Sequence, residues 1–150
     1  MIKLNLPSYS FKFKNKENKL YIFDNFRKKY VVLTPEEWVR QNFITFLVKE
    51  KKYPKTLIGI EKEFKINNLS KRFDILVFDK SGLPDIIIEC KAPQLKITQD
   101  NFDQIARYNL KFDAKYVIVT NGLEHFFCSL DHINKKYNFL RDIPSYTPKL

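Results

Sequence analysis

The chain has 150 residues, 44% of them hydrophobic and 15% aromatic, with only 3 Gly. That length fits one ordinary domain, and the composition excludes a disordered or fibrous chain. Lys and Arg total 27 against 17 Asp and Glu, a formal net charge of +10. Such a balance favours polyanions, nucleic acid first and an anionic membrane surface second. Lys outnumbers Arg, as AT-rich coding would also produce, so charge alone leaves the partner open.

Cys90 and Cys128 lie in apolar strand-like runs and not in a CxxC. They read as free buried thiols of a reduced compartment, with neither a disulfide nor a zinc site expected. No apolar run approaches the ~20 residues of a membrane span. The start, Met1-Ile2-Lys3-Leu4-Asn5, is no signal peptide. A cytoplasmic location without membrane contact is the expectation.

From the N-terminus, residues 1–33 read as short strands forming an N-terminal β extension. Phe11-Lys12-Phe13-Lys14 alternates with period two, and Leu20-Tyr21-Ile22-Phe23 and Tyr30-Val31-Val32-Leu33 are rich in β formers. Thr34-Pro35-Glu36-Glu37 is a helix start: Thr34 caps, Pro35 suits the first helical position and Glu37 completes a capping box. Trp38, Val39, Phe43, Phe46 and Leu47 carry the apolar stripe. Strands follow over 57–64, 72–79 and 85–91, with Lys80-Ser81-Gly82 as the turn between the last two. A helix runs from Thr98 to about Phe112, buried through Phe102, Ile105, Ala106 and Leu110. Tyr116–Thr120 is a buried strand, and His125 to Leu130 returns as its hairpin partner after Asn121-Gly122. The order predicts an α/β sandwich with a central mixed sheet flanked by helices. One domain is expected, with a core over 34–143. The tail over 144–150, with Pro144 and Pro148, is expected to fray.

Chemistry concentrates in the hairpin from Arg72 to Lys91. With its centre between Ser81 and Gly82, residue 74 faces 89 and residue 72 faces 91. Alternation then gives one apolar face of Phe73, Ile75, Val77, Ile86, Ile88 and Cys90. The other face collects Arg72, Asp74, Leu76, Ile87, Glu89 and Lys91. Two carboxylates opposite each other repel, and a hard divalent cation would remove that cost. Mg²⁺ takes one or two carboxylates, keeps several waters and uses phosphate oxygens for the rest. Lys91 could then steer water or neutralise developing charge. Glu-x-Lys triplets are common, so the bland reading is a surface cluster of ordinary salt bridges.

The residues Arg72-Phe73-Asp74 and Ile86-Ile87-Ile88-Glu89-Cys90-Lys91-Ala92-Pro93 resemble the PD-(D/E)XK nuclease superfamily. Phe73-Asp74 stands where that motif has Pro-Asp. Within it, the chain is similar to the N-terminal nuclease domain of type I restriction enzyme R subunits and to small stand-alone relatives. Thr34 to Gln41 is similar to that domain's first helix, Gln104-Ile105-Ala106-Arg107-Tyr108 to its QxxxY motif, and Asn121-Gly122 to the turn after its buried strand.

The resemblance implies a restriction-endonuclease-like fold and a metal-dependent nuclease acting on DNA in restriction, defence or DNA processing. Asp74 and Glu89 would be ligands of Mg²⁺, with Mn²⁺ as a substitute, and Lys91 would be catalytic. Glu37 would be an auxiliary acid near the metal, with Glu36 as its rival, although Glu37 can equally be a cap alone. Gln104 and Tyr108 would touch substrate; periodicity alone makes them a solvated helix face. Arg40, Arg72 and Arg107 are candidates for phosphate contacts or for plain surface charge. Glu61 and Glu63 read as a solvated strand edge, and His125 as structural. The sequence has no GxxxxGK[ST] phosphate loop, so a separate motor or specificity subunit, or a homodimer on DNA, is the expected context. The alternatives are a DNA-binding module that does not cut, or an RNA nuclease.

Overall fold

The computed structural model describes residues 1–66 and 68–148, with only the backbone of Ile66. Three strands, β1 (Phe13–Lys16), β2 (Lys19–Asp24) and β3 (Lys29–Val32), form an antiparallel sheet of their own. Helix α1 (Pro35–Lys49) follows, then a 3₁₀ turn at Lys55–Leu57 and three strands, β4 (Ile58–Ile66), β5 (Leu69–Phe78) and β6 (Pro84–Cys90). Helix α2 (Gln99–Asn109) leads to β7 (Tyr116–Thr120), β8 (His125–Asp131) and β9 (Lys136–Leu140). The main sheet has the order β4-β5-β6-β7-β8-β9. Only β6 and β7 run parallel, so the sheet is mixed as expected.

Local chemistry sets the helix starts. The Thr34 hydroxyl accepts the Glu37 N–H at 3.0 Å, and the Thr98 hydroxyl accepts the Asn101 N–H at 3.1 Å. Both satisfy donors that a helix end leaves open. The central strands are apolar runs, Ile86-Ile87-Ile88 and Val117-Ile118-Val119, buried on both sides as a parallel pair between helices requires. On one side α1 places Val39, Phe43 and Leu47 against Ile75, Ile86, Ile88 and Ile118. On the other, α2 places Phe102 and Ala106 against Leu76, Ile87, Val117 and Val119. The result is an α/β sandwich.

The β5–β6 register matches the sequence expectation over Ile75↔Ile88, Leu76↔Ile87 and Val77↔Ile86, but it shifts by one at Phe78↔Pro84 beside the turn, and the expected pairings of 74 with 89 and 72 with 91 fall outside the ladder. Strict alternation fails one turn of the pleat earlier. Phe73 packs with Leu76 and Ile87 on the α2 side, not with Ile75 on the α1 side. The reason is an interruption opposite Asp74: the β4–β5 ladder skips Glu61, whose φ is +50°. Strand β9 escaped the sequence reading. It is exposed and mixed in character, with the left-handed Lys135 closing its turn onto β8.

The tail also differs from expectation. Ile143 is buried, the Tyr53 hydroxyl donates to the Pro144 carbonyl at 2.8 Å, and the Tyr146 N–H donates to the Lys51 carbonyl at 2.7 Å. Those bonds and the Tyr53–Tyr146 ring contact dock the tail on the loop after α1. His125 is structural: its ring bonds Thr120 at 2.7 Å and the Asn5 carbonyl at 2.9 Å. Cys90 and Cys128 are free and buried.

Candidate active site

The site forms where β5 and β6 part. Their ladder reaches Ile75↔Ile88, while β6 continues along β7 with Glu89↔Val119 and Cys90↔Thr120. Asp74 spans the gap with its side chain, its Oδ2 accepting the Cys90 N–H at 2.8 Å. The Lys91 N–H donates to the Thr120 carbonyl at 2.8 Å, which anchors the chain just past β6. Asp74, Glu89 and Lys91 are all half-buried.

Electrostatics ties these groups together. Burial raises the Asp74 carboxyl above its ordinary value, and neighbouring Glu89 pushes the same way. The Cys90 N–H, Arg40 and Lys91 oppose without cancelling it. Glu36 is raised too, first by burial and then by Asp74, with Arg40 and Lys91 opposing. Glu36, at the first turn of α1, therefore shares the field of Asp74 and Lys91.

Glu37 lies in a different setting. Its Oε1 meets Arg27 at 3.2 Å and Arg40 at 3.4 Å, and its Oε2 accepts from Gln41 at 2.9 Å. Arg27 also grips buried Asp24 and reaches Glu61 at 3.2 Å. Glu61 is bound by Arg40 as well, and by Arg72 at 3.0 Å. Burial alone would raise Glu61, but Arg40, Arg27 and Arg72 hold it below the usual range. This network explains why a glutamate tolerates a left-handed backbone, which costs of order 1–3 kcal/mol: the turn delivers one carboxylate to three guanidinium groups. Glu61 is thus no solvated edge. Arg40 is 5% exposed, bound to Glu37 and Glu61, and its charge acts on Asp74.

On the α2 side, Glu89 forms an ion pair with Lys71, which also approaches Asn109 Oδ1 at 3.4 Å. The Lys71 ammonium lies over the Phe73 and Tyr108 rings, 5.2 and 4.7 Å from their centroids. Tyr108 therefore borders the site through Lys71. Gln104 stands exposed one turn earlier on α2, and Arg72 projects outward with a side chain 69% exposed. Arg107 pairs with Asp103 at 2.9 Å on the exposed surface. Sequence reasoning missed Lys71, because regular alternation directs it away from Glu89; the interruption at Asp74 brings it round. Among the described residues, no three His, Cys, Asp or Glu side chains stand close enough to hold a metal ion together. No helix among them is long and apolar enough to cross a membrane.

Residues 35–144 match the family described as "Type I restriction enzyme R protein N terminus (HSDR_N)". The chain belongs to that family. The match takes in α1, the whole main sheet and α2, and so every residue of the site from Glu36 to Tyr108. This family member also resembles a crystal structure described as "a putative nuclease belonging to DUF820" from Anabaena variabilis, at 14% identity and a TM-score of 0.49. That alignment covers 97% of this chain and 85% of the other. No curated protein sequence matches the chain.

Proposed function

We propose that this protein is a metal-dependent nuclease that hydrolyses DNA phosphodiester bonds. The observation that carries the reading is the gathering of Asp74, Glu89, Lys91 and Glu36 at the split between β5 and β6. The donor set fits a hard divalent cation: two half-buried carboxylates repel each other, and burial holds one of them up. Mg²⁺ uses one or two carboxylates and completes its shell with water and phosphate oxygens, so a cluster of three acidic ligands is not required. Asp74 and Glu89 would hold it, and Mn²⁺ could replace it. When bound, the cation offsets the paired negative charge and polarises the scissile phosphate.

The chain's own residues supply the rest. The Cys90 N–H fixes the Asp74 carboxylate in place. Lys91, anchored by its backbone bond to Thr120, sets an ammonium beside the carboxylates, where it orients water or balances charge growing on the phosphate. Glu36 adds a carboxylate of raised proton affinity at the same mouth. Arg72 and Tyr108 flank it on the solvent side. The family's name places such a domain within a type I restriction enzyme R protein, which supports DNA as substrate and a separate motor or specificity subunit as partner, with a homodimer as the other arrangement.

A second reading, DNA binding without cleavage, is favoured by one observation: Glu89 is already engaged by Lys71. Cleavage of supercoiled, linear and single-stranded DNA in Mg²⁺ or Mn²⁺, beside Lys91→Ala, decides between them. Cleavage by the parent alone supports the nuclease. Salt-sensitive binding with no cleavage in either metal overturns it in favour of the binding module.

A further inference from the structure

The β1–β3 sheet has two unlike faces. Residues directly opposite in a ladder share a face, so the pairings Lys14↔Tyr21↔Val32, Lys16↔Lys19 and Phe23↔Tyr30 define one of them. The opposite face holds fully buried Ile22 and turns Phe13 toward Trp38 of α1, with ring centroids 6.4 Å apart. The first face points away from the core. Lys14, Lys16, Lys19 and Tyr30 on it are exposed, and Tyr21 and Phe23 are half-buried.

Its chemistry is uniform. Asp24 is the acidic residue within these three strands, and it is fully buried and bound to Arg27. The outer face is therefore cationic and aromatic. Lys14, Lys16, Tyr21 and Tyr30 line a shallow recess of about 210 Å³. The Tyr30 ring is held edge-on by Phe23, with centroids 5.1 Å apart at 72°. Lys14 Nζ lies 5.3 Å from the Tyr30 centroid.

We propose that this face binds single-stranded nucleic acid, stacking bases on Tyr21 and Tyr30 while Lys14 and Lys16 hold the backbone. Aromatic faces interleaved with cations are what an unpaired strand needs. Every base offers a π-face, every phosphate a charge, and neither contact reads sequence. A duplex keeps its bases stacked on each other, so the tyrosines have nothing to receive from it. The inference does not rest on cleavage, because this sheet is distinct from the one bearing Asp74 and Glu89.

The test is fluorescence anisotropy in EDTA, where cleavage plays no part, with labelled oligothymidylate, oligouridylate and a duplex. The parent binds at least one single strand, and comparing the two shows whether DNA or RNA is preferred. Tyr21→Ala/Tyr30→Ala weakens single-strand binding by at least about tenfold and leaves duplex binding unchanged. Tyr21→Phe/Tyr30→Phe binds like the parent, which separates stacking from loss of the hydroxyls. Lys14→Gln/Lys16→Gln lowers the slope of log K against log salt by about 1.4. Absence of single-strand binding by the parent overturns the proposal and leaves the face to a protein or membrane. Parental affinity in the double Ala variant, with circular dichroism unchanged, overturns it as well.

Discussion

The Asp74 carboxylate accepts the backbone N–H of Cys90 across the opening between β5 and β6, at 2.8 Å. One side chain therefore closes the sheet and supplies charge to the site, and the two roles can be separated. Asp74→Asn keeps an acceptor for Cys90 and loses the charge. Asp74→Ala leaves a buried donor unsatisfied, at about 1–3 kcal/mol. Each kcal/mol lowers the melting temperature of a chain this size by about 2–4 °C. Both variants lose cleavage by about a hundredfold or more, but the Asn variant melts at or above the parent, since repulsion from Glu89 is relieved. Equal melting of the two by calorimetry contradicts the bridging role.

Glu36 and Glu37 are adjacent, yet about 100° of helix rotation separates their side chains. Glu37 belongs to the buried Arg27–Arg40–Glu61 network, and Glu36 to the field of Asp74 and Lys91. Glu37→Ala leaves Arg27 to Asp24 and Glu61 and Arg40 to Glu61 alone, removes the acceptor of Gln41, and costs about 1–3 kcal/mol. Glu36→Gln keeps the melting temperature and reduces cleavage by on the order of tenfold to a hundredfold. Thermal melts and cleavage rates measured on the same preparations check both halves. The reverse pattern would assign the auxiliary role to Glu37.

Local signals carried much of this into the sequence. Thr34 and Thr98 are caps legible from residue type, and the apolar residues flanking the Ser81-Gly82 turn give the β5–β6 pairing from Ile75 to Val77. Those features depend on neighbours within a few positions. What stayed hidden is non-local. The capping box explains the Glu37 N–H but not its carboxylate, which is claimed by Arg27 from the β2–β3 turn. Alternation sends Lys71 away from Glu89, and only the break at Glu61 and Asp74 reverses that. The arginines behave likewise: Arg40 reads as surface charge until Glu61 of β4 and Glu37 of its own helix enclose it.

Lys71 and a divalent cation compete for Glu89. The ammonium is paired with that carboxylate and seated between the Phe73 and Tyr108 rings, so it repels any cation approaching the same oxygen. Lys71→Met keeps the length and the contact with the rings while removing the charge. Mn²⁺ binding, followed by electron paramagnetic resonance or calorimetry, tightens by on the order of tenfold in this variant. Unchanged or weaker Mn²⁺ binding means that Glu89 is no ligand, and the DNA-binding module becomes the better reading.

Stability should hold through mild acid and fall steeply below about pH 4.5. Asp24 and Glu61 are held below their ordinary values of 3.8 and 4.5. In both, burial pushes upward and bonds or charges from arginine outweigh it. A depressed folded pKa contributes stability that is present above the unfolded value and lost as pH falls through the folded one. Asp74 and Glu36 have the opposite sign: their folded pKa values are raised, so falling pH relieves a strain of folding until the unfolded values of 3.8 and 4.5 are reached. His125, whose pKa burial lowers from its ordinary 6.5, loses stability over the same range and opposes that gain, so the curve stays nearly level from neutrality toward about 4.5, then drops as the Asp24 and Glu61 pairs are protonated. Urea unfolding midpoints between neutral and strongly acidic pH trace the curve, and Glu61→Gln flattens its acid limb. A parent that keeps gaining stability well below pH 4 would show that the arginine network contributes nothing.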